Sequence, residues 1–190
     1  MLSEGDKAPP FELEADEGTL FSLKEALSER AKAGGKGIVL YFYPKDSTPG
    51  CTREAQAFTE AKRKLAAAGA TVVGVSKDSI KSHCGFRDKY ALNFPLLSDP
   101  DLAVHRAYGA YGEKMMYGKK VQGTIRSTFL IGTDGKIIQA WRNVKVDGHA
   151  DAVLEALSGA GAETAPANKA AKAAVPKKAA AKKAASKTRR

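Results

Sequence analysis

Apolar residues fall along this chain in short dense runs separated by amphipathic stretches. The runs at 37–44 (GIVLYFYP), 71–76 (TVVGVS) and 127–132 (STFLIG) are rich in β-branched and aromatic residues and read as buried strands. The run at 136–141 (KIIQAW) reads as a further strand. The Thr133-Asp134-Gly135 turn joins it to 127–132 and predicts an antiparallel hairpin. Over 48–68, Phe58, Ala61 and Leu65 recur at helical spacing among Arg53, Glu54, Lys62 and Arg63, the pattern of an amphipathic helix. Helices are also expected over 79–90, 102–108 and 149–158, the last with Gly159 and Gly161 beyond its end. Residues 11–23 predict a small N-terminal hairpin turning at Asp16-Glu17-Gly18.

Strand, helix, strand, helix, hairpin, helix is the order of a thioredoxin-like α/β fold. Such a fold has a central mixed sheet flanked by helices, here with an N-terminal β-hairpin added. It accounts for residues 1–160 as one domain. Fold alone does not assign function. Beyond it the composition changes. Residues 161–190 are Ala and Lys with isolated prolines and no aromatic residue, too little apolar surface to offset the entropy of ordering, so a disordered tail is expected.

The charge divides at the same boundary. The chain carries +10 overall, and seven Lys and two Arg with no acid lie in 164–190, leaving 22 basic against 21 acidic residues elsewhere. The basicity therefore belongs to the tail. No run approaches the ~18 apolar residues of a membrane span, and the N-terminus MLSEGDKAPPF has no apolar leader segment, so a cytoplasmic protein is expected. Two cysteines, Cys51 and Cys84, cannot make a four-thiolate zinc site, and a permanent disulfide does not suit a reducing compartment. A catalytic or redox role is the chemistry to test.

Cys51 is the candidate. A buried strand ends at Tyr43-Pro44, a short loop follows, and Thr48-Pro49 reads as N-cap and first helical residue. That register puts Cys51 in the first turn, where unpaired N–H groups and the positive end of the helix stabilise an anion. A free thiol titrates near ~8.5 and only its thiolate is strongly nucleophilic, so the position suits a reactive sulfur. Gly50 lets a small substrate approach the backbone, and Thr48 offers a hydroxyl. In peroxide reduction the second oxygen leaves with growing negative charge, and donors aimed at it favour the transition state. An inert first-turn cysteine is the plainer alternative.

The spacing Pro44-x-x-x-Thr48-x-x-Cys51 resembles the active-site motif of the peroxiredoxins. The flanks FYPKDSTPGCTREAQAF, SDPD (98–101), RSTFLI (126–131) and WRNVKVDGHADAVLEAL (141–157) resemble the PrxQ subfamily, also called bacterioferritin comigratory protein, over about residues 3 to 158. The resemblance implies a thiol peroxidase with no metal, haem or flavin, acting as a monomer on hydrogen peroxide and organic hydroperoxides. It makes Cys51 the peroxidatic cysteine, Thr48 a hydrogen-bonding partner of peroxide and thiolate, Pro44 a shield against water, and Arg126 the cation that orients both. Glu54 either holds an arginine or only favours the helix start.

One departure is informative. Many members carry a resolving cysteine five residues after the first, where this chain has Gln56. Others carry it in the following helix, usually about one turn beyond Cys84, where this chain has Arg87. Either Cys84 resolves Cys51 as an intramolecular disulfide reduced by thioredoxin or another dithiol, or an external thiol acts directly. His83 reads as a solvated helix residue, Lys45 and Asp46 as loop surface, and Phe86, Tyr90 and Phe94 as core. A disulfide reductase on the same fold would need CxxC, and the chain has Cys51-Thr52-Arg53-Glu54. The rival from another class is a nucleic-acid-associated protein with an inactive body, since a lysine-rich tail binds DNA or RNA through counterion release.

Overall fold

The computed structural model describes residues 2–116 and 118–159; the tail expected over 161–190 lies outside the described residues. In chain order the elements are β1 (Glu12–Ala15), β2 (Leu20–Ser22), α1 (Leu23–Lys32), β3 (Gly37–Phe42), α2 (Pro49–Ala67), β4 (Ala70–Ser76) and α3 (Ile80–Tyr90). They continue as β5 (Leu96–Ser98), α4 (Ala103–Ala107), β6 (Tyr111–Met116), β7 (Lys119–Thr124), β8 (Ser127–Gly132), β9 (Ile137–Arg142) and α5 (His149–Gly159).

The dense run at 37–44 forms β3, an interior strand of a seven-stranded sheet, order β2-β1-β5-β4-β3-β8-β9. β3 runs parallel to β4 and antiparallel to β8, and every residue of β3 is buried. A strand covered on both faces needs no polar alternation, which explains its unbroken apolar reading. Its side chains still alternate. Val39, Tyr41 and Tyr43 join Phe58, Leu65, Phe86, Val153 and Leu157 on the face covered by α2, α3 and α5. Ile38, Leu40 and Phe42 join Leu23, Leu27, Val104 and Tyr108 on the face covered by α1 and α4. The mixed sheet with helices on both faces is the thioredoxin-like arrangement expected. Gly37 is required where it stands, since a Cβ there would lie 1.9 Å from the Ile131 carbonyl oxygen on β8.

Three parts of the fold were not legible. α1 carries only two buried side chains among charged neighbours, and β5 is three residues long. The β6–β7 hairpin is polar and glycine-bearing, and it forms a separate two-stranded sheet. α5 includes Gly159 rather than stopping before it.

Candidate active site

α2 opens at the carboxyl end of β3, the end of the strands at which open α/β sheets usually receive ligands. Ser47 turns the chain with a left-handed φ of 56°, and Thr48 follows in extended conformation at the N-cap with Pro49 as the first helical residue. Thr48 occupies the cap position without capping: its hydroxyl donates to the Lys45 carbonyl at 3.0 Å and so closes the loop behind it. The first helical hydrogen bond runs from the Thr52 N–H to the Thr48 carbonyl at 2.8 Å. Pro49 has no N–H, so the amides of Gly50 and Cys51 lie ahead of that bond. They are the donors an anion at this helix start would use.

Cys51 is 2% exposed. The pairing of Phe42 with Ser127 brings the residue before β8, Arg126, beside the carboxyl end of β3. From there the Arg126 Nη2 donates to the Cys51 sulfur at 3.3 Å, while Nη1 donates to the Glu54 carboxylate. A Cβ on Gly50 would sit 3.4 Å from the same Nη2, so a glycine keeps the space beside the guanidinium open. Glu54 lies one turn after Cys51 and is 1% exposed, with Oε1 left unpartnered. Burial pushes its carboxyl up to about 7 although Arg126 pulls it down. Burial also works against the Arg126 charge, but Glu54 and then Cys51 outweigh it and hold the guanidinium above its ordinary value. One arginine thus bridges a buried carboxylate and the sulfur, and each contact fixes the other. The alternative in which Glu54 only favours the helix start is not what the structure shows.

Two further groups face this arrangement. His149 hydrogen-bonds Thr128 at 2.7 Å, and burial, then Arg126, push it down to about 4, so it adds no charge at neutral pH. Lys114, on β6, donates to the Thr124 carbonyl at 2.7 Å. Burial, then the like charge of Arg126, lowers its ammonium below the usual lysine range. The sequence offered no signal for Lys114, because the hairpin that carries it showed no periodicity. Pro44 is half-buried at the mouth of the loop between β3 and α2.

Cys84 stands apart from this group. It is half-buried in α3, and its thiol donates to the Asp16 carbonyl at 3.4 Å, at the far end of β1. β1 is three strand positions from β3 in the sheet, or ~14 Å at about 4.8 Å per spacing. A disulfide needs Cα atoms within about 7 Å; here the Cys51 sulfur lies against Arg126 and the Cys84 sulfur against the Asp16 carbonyl. Both are free thiols here. Arg87 is a structural anchor, paired with Asp16 at 2.8 Å and Glu17 at 2.9 Å and donating to the Phe94 carbonyl.

Asp46 and His83 differ from their sequence reading. Neither is on the surface: Asp46 is 5% exposed and His83 0%. A charged loop residue and a polar helix residue look solvated when read singly; what buries them is each other, 37 positions apart. Among the described residues no group of three or more His, Cys, Asp or Glu side chains is placed to hold a metal ion. No helix among them is long and apolar enough to cross a membrane.

Comparison with known proteins gives consistent matches. Residues 4–140 match the AhpC/TSA family. The chain is 56% identical over 128 residues to the peroxiredoxin Bcp of Xanthomonas campestris pv. campestris, covering 67% of this chain and 79% of that one. Among solved structures, Xanthomonas campestris peroxiredoxin Q superposes with TM-score 0.69 at 50% identity, over 78% of this chain and 90% of the other. A cysteine-to-serine mutant of Xylella fastidiosa PrxQ superposes with TM-score 0.75 at 39% identity, over 85% and 99%.

Proposed function

Since the chain belongs to the AhpC/TSA family, with Bcp and PrxQ peroxiredoxins as its relatives, it is a thiol-dependent peroxidase, and we propose that Cys51 is the sulfur that attacks the peroxide. The observation that carries this reading is the hydrogen bond from Arg126 to the Cys51 sulfur at the open start of α2. The thiolate attacks the proton-bearing oxygen of the hydroperoxide, the S–O bond forms and the O–O bond breaks. Cys51 becomes a sulfenic acid, and the departing oxide takes a proton to leave as water or alcohol. The Thr48 hydroxyl spends its proton on the Lys45 carbonyl, so its lone pairs are open to accept from the hydroperoxide O–H and aim that oxygen at the sulfur. Arg126 and the free amides of Gly50 and Cys51 supply the donors for the charge that develops. Pro44 walls the loop side and limits water.

Cys84 is the resolving thiol of this proposal. Its attack on the sulfenic sulfur releases water and forms an intramolecular disulfide, which thioredoxin or another dithiol reduces by exchange. Each sulfur is held by a different partner, Arg126 for Cys51 and the Asp16 carbonyl for Cys84, so the proposal has the start of α2 or α3 leave its place for the two to meet. After one equivalent of hydrogen peroxide, mass spectrometry of the native protein should show the loss of two hydrogens. The Cys84→Ser variant should show the gain of one oxygen. A stable sulfenic acid in both forms would instead make this a one-cysteine enzyme.

Two free thiols suit a reducing compartment, and the proposal places the protein in the cytoplasm, acting as a monomer. The composition of 161–190 supports a second role, weak and sequence-independent contact with DNA or RNA. The full chain should retard DNA at low salt where residues 1–160 do not; equal mobility of the two would remove that role.

A further inference from the structure

Between Pro44 and Thr48 the loop is held at one residue. Asp46 accepts from the Tyr43 hydroxyl at 2.8 Å through Oδ1, and from Ser82 Oγ at 2.7 Å and His83 Nδ1 at 2.9 Å through Oδ2. Its own backbone N–H donates to Asp78 Oδ2 at 2.7 Å, in the segment joining β4 to α3. His83 is fixed at its other nitrogen too, with Nε2 3.2 Å from the Leu97 carbonyl on β5. Its two ring nitrogens thus tie the loop carboxylate to the β5 backbone. The three donors outweigh burial, which acts to raise the Asp46 carboxyl, and hold it below the usual range.

A buried polar pair is a poor way to gain stability, because desolvating its groups costs about what their contact returns. An apolar contact between loop and helix would serve as well. What the pair supplies is direction: it sets the height and tilt of the loop whose two ends, Pro44 and Thr48, are groups of the peroxide step. The Lys45 carbonyl that receives the Thr48 hydroxyl adjoins Asp46, so the position of Asp46 passes to Thr48 through one peptide and one hydrogen bond.

We propose that Asp46 and His83 are a buried positioning pair for the peroxide step, holding Pro44 and Thr48 over Cys51 by clamping their loop to the helix that follows β4. Neither side chain is placed to touch substrate. The proposal rests on the reading that Cys51 attacks the peroxide. It separates two properties of that sulfur: nucleophilicity, supported by Arg126 from the β8 side, and the peroxide's approach, shaped by the loop. Iodoacetamide requires the first, and peroxide requires both.

The test uses the full chain carrying Cys84→Ser, so that Cys51 alone reacts, and compares its oxidation by hydrogen peroxide with its alkylation by iodoacetamide. Asp46→Asn and His83→Gln should each slow oxidation on the order of tenfold, the scale of a small misplacement of reacting groups. Alkylation should change by less than about threefold. The double variant should be no slower than the slower single one, as for two members of one unit. A folded Asp46→Asn or His83→Gln variant that oxidises at the parent rate, or that loses both reactions equally, overturns the proposal. If these variants do not fold, Ser82→Ala removes one of the three donors and should still slow oxidation selectively; unchanged oxidation there overturns it as well. A parent protein that oxidises no faster than free cysteine would instead remove the role of Cys51.

Discussion

Replacing Cys51 by serine lowers peroxide consumption on the order of 10³-fold or more, to the background rate, while the fold is retained. Serine keeps the size of the side chain and can still accept a hydrogen bond from Arg126. It cannot supply a polarisable anion near neutral pH, nor form the S–O bond on which the cycle depends. Cys51 is buried in contact with the core on the α2 face, and the exchange removes little volume, so the expected stability change is within about 1 kcal/mol. Peroxide-dependent oxidation of a dithiol, followed beside the urea midpoint, checks both halves. This variant also separates the peroxidase from its rival, because a tail that binds nucleic acid is indifferent to a sulfur in the body. Residual turnover near the native rate would move the chemistry to Cys84 and sink the assignment.

How far the sequence carried this site follows from the range of each interaction. The position of Cys51 was legible because its determinants are local: an apolar strand, a proline at the first helical position and 3.6-residue spacing all lie within about 30 residues of the thiol. Arg126 could be named from its resemblance but not aimed. Its direction depends on the β3–β8 register, an antiparallel pairing across 75 positions of chain from Arg126 to Cys51. Asp46 and His83 were misread because polarity in an isolated segment means solvent exposure, and only the packing of α3 against the β3–α2 loop reverses it. Thr48 shows the same limit in reverse. Its type and place predicted a helix cap, and its hydroxyl instead satisfies a carbonyl three residues earlier, which leaves the helix start open for substrate.

Arg126→Gln should slow the peroxide step by on the order of 10²–10³-fold, the usual cost of removing a donor aimed at developing charge. Arg126→Lys should recover part of this but remain below the native rate, because a single ammonium does not reproduce two diverging donors that reach Cys51 and Glu54 together. The same substitution has a second signature. Glu54 already stands at about 7, raised by burial and restrained only by Arg126; without that guanidinium its carboxyl rises further. A carboxyl whose folded value lies above its unfolded one contributes stability that is fully present below the unfolded value, 4.5 here, and is lost as pH rises through the folded value. In the native protein that loss is complete about one pH unit above the folded value, near pH 8. In Arg126→Gln it continues upward, at about 1.4 kcal/mol per pH unit while the folded state alone holds the proton. The variant should therefore lie closest to the native protein in urea midpoint at pH 5 and fall behind by pH 8. His149 moves the comparison the same way. Relieved of Arg126, its folded value is less depressed, so it loses less stability as pH falls. A penalty equal at both pH values would mean that Glu54 is not held ionised by Arg126. The bridge would then be a packing contact, and the guanidinium would reach the sulfur without needing the carboxylate behind it.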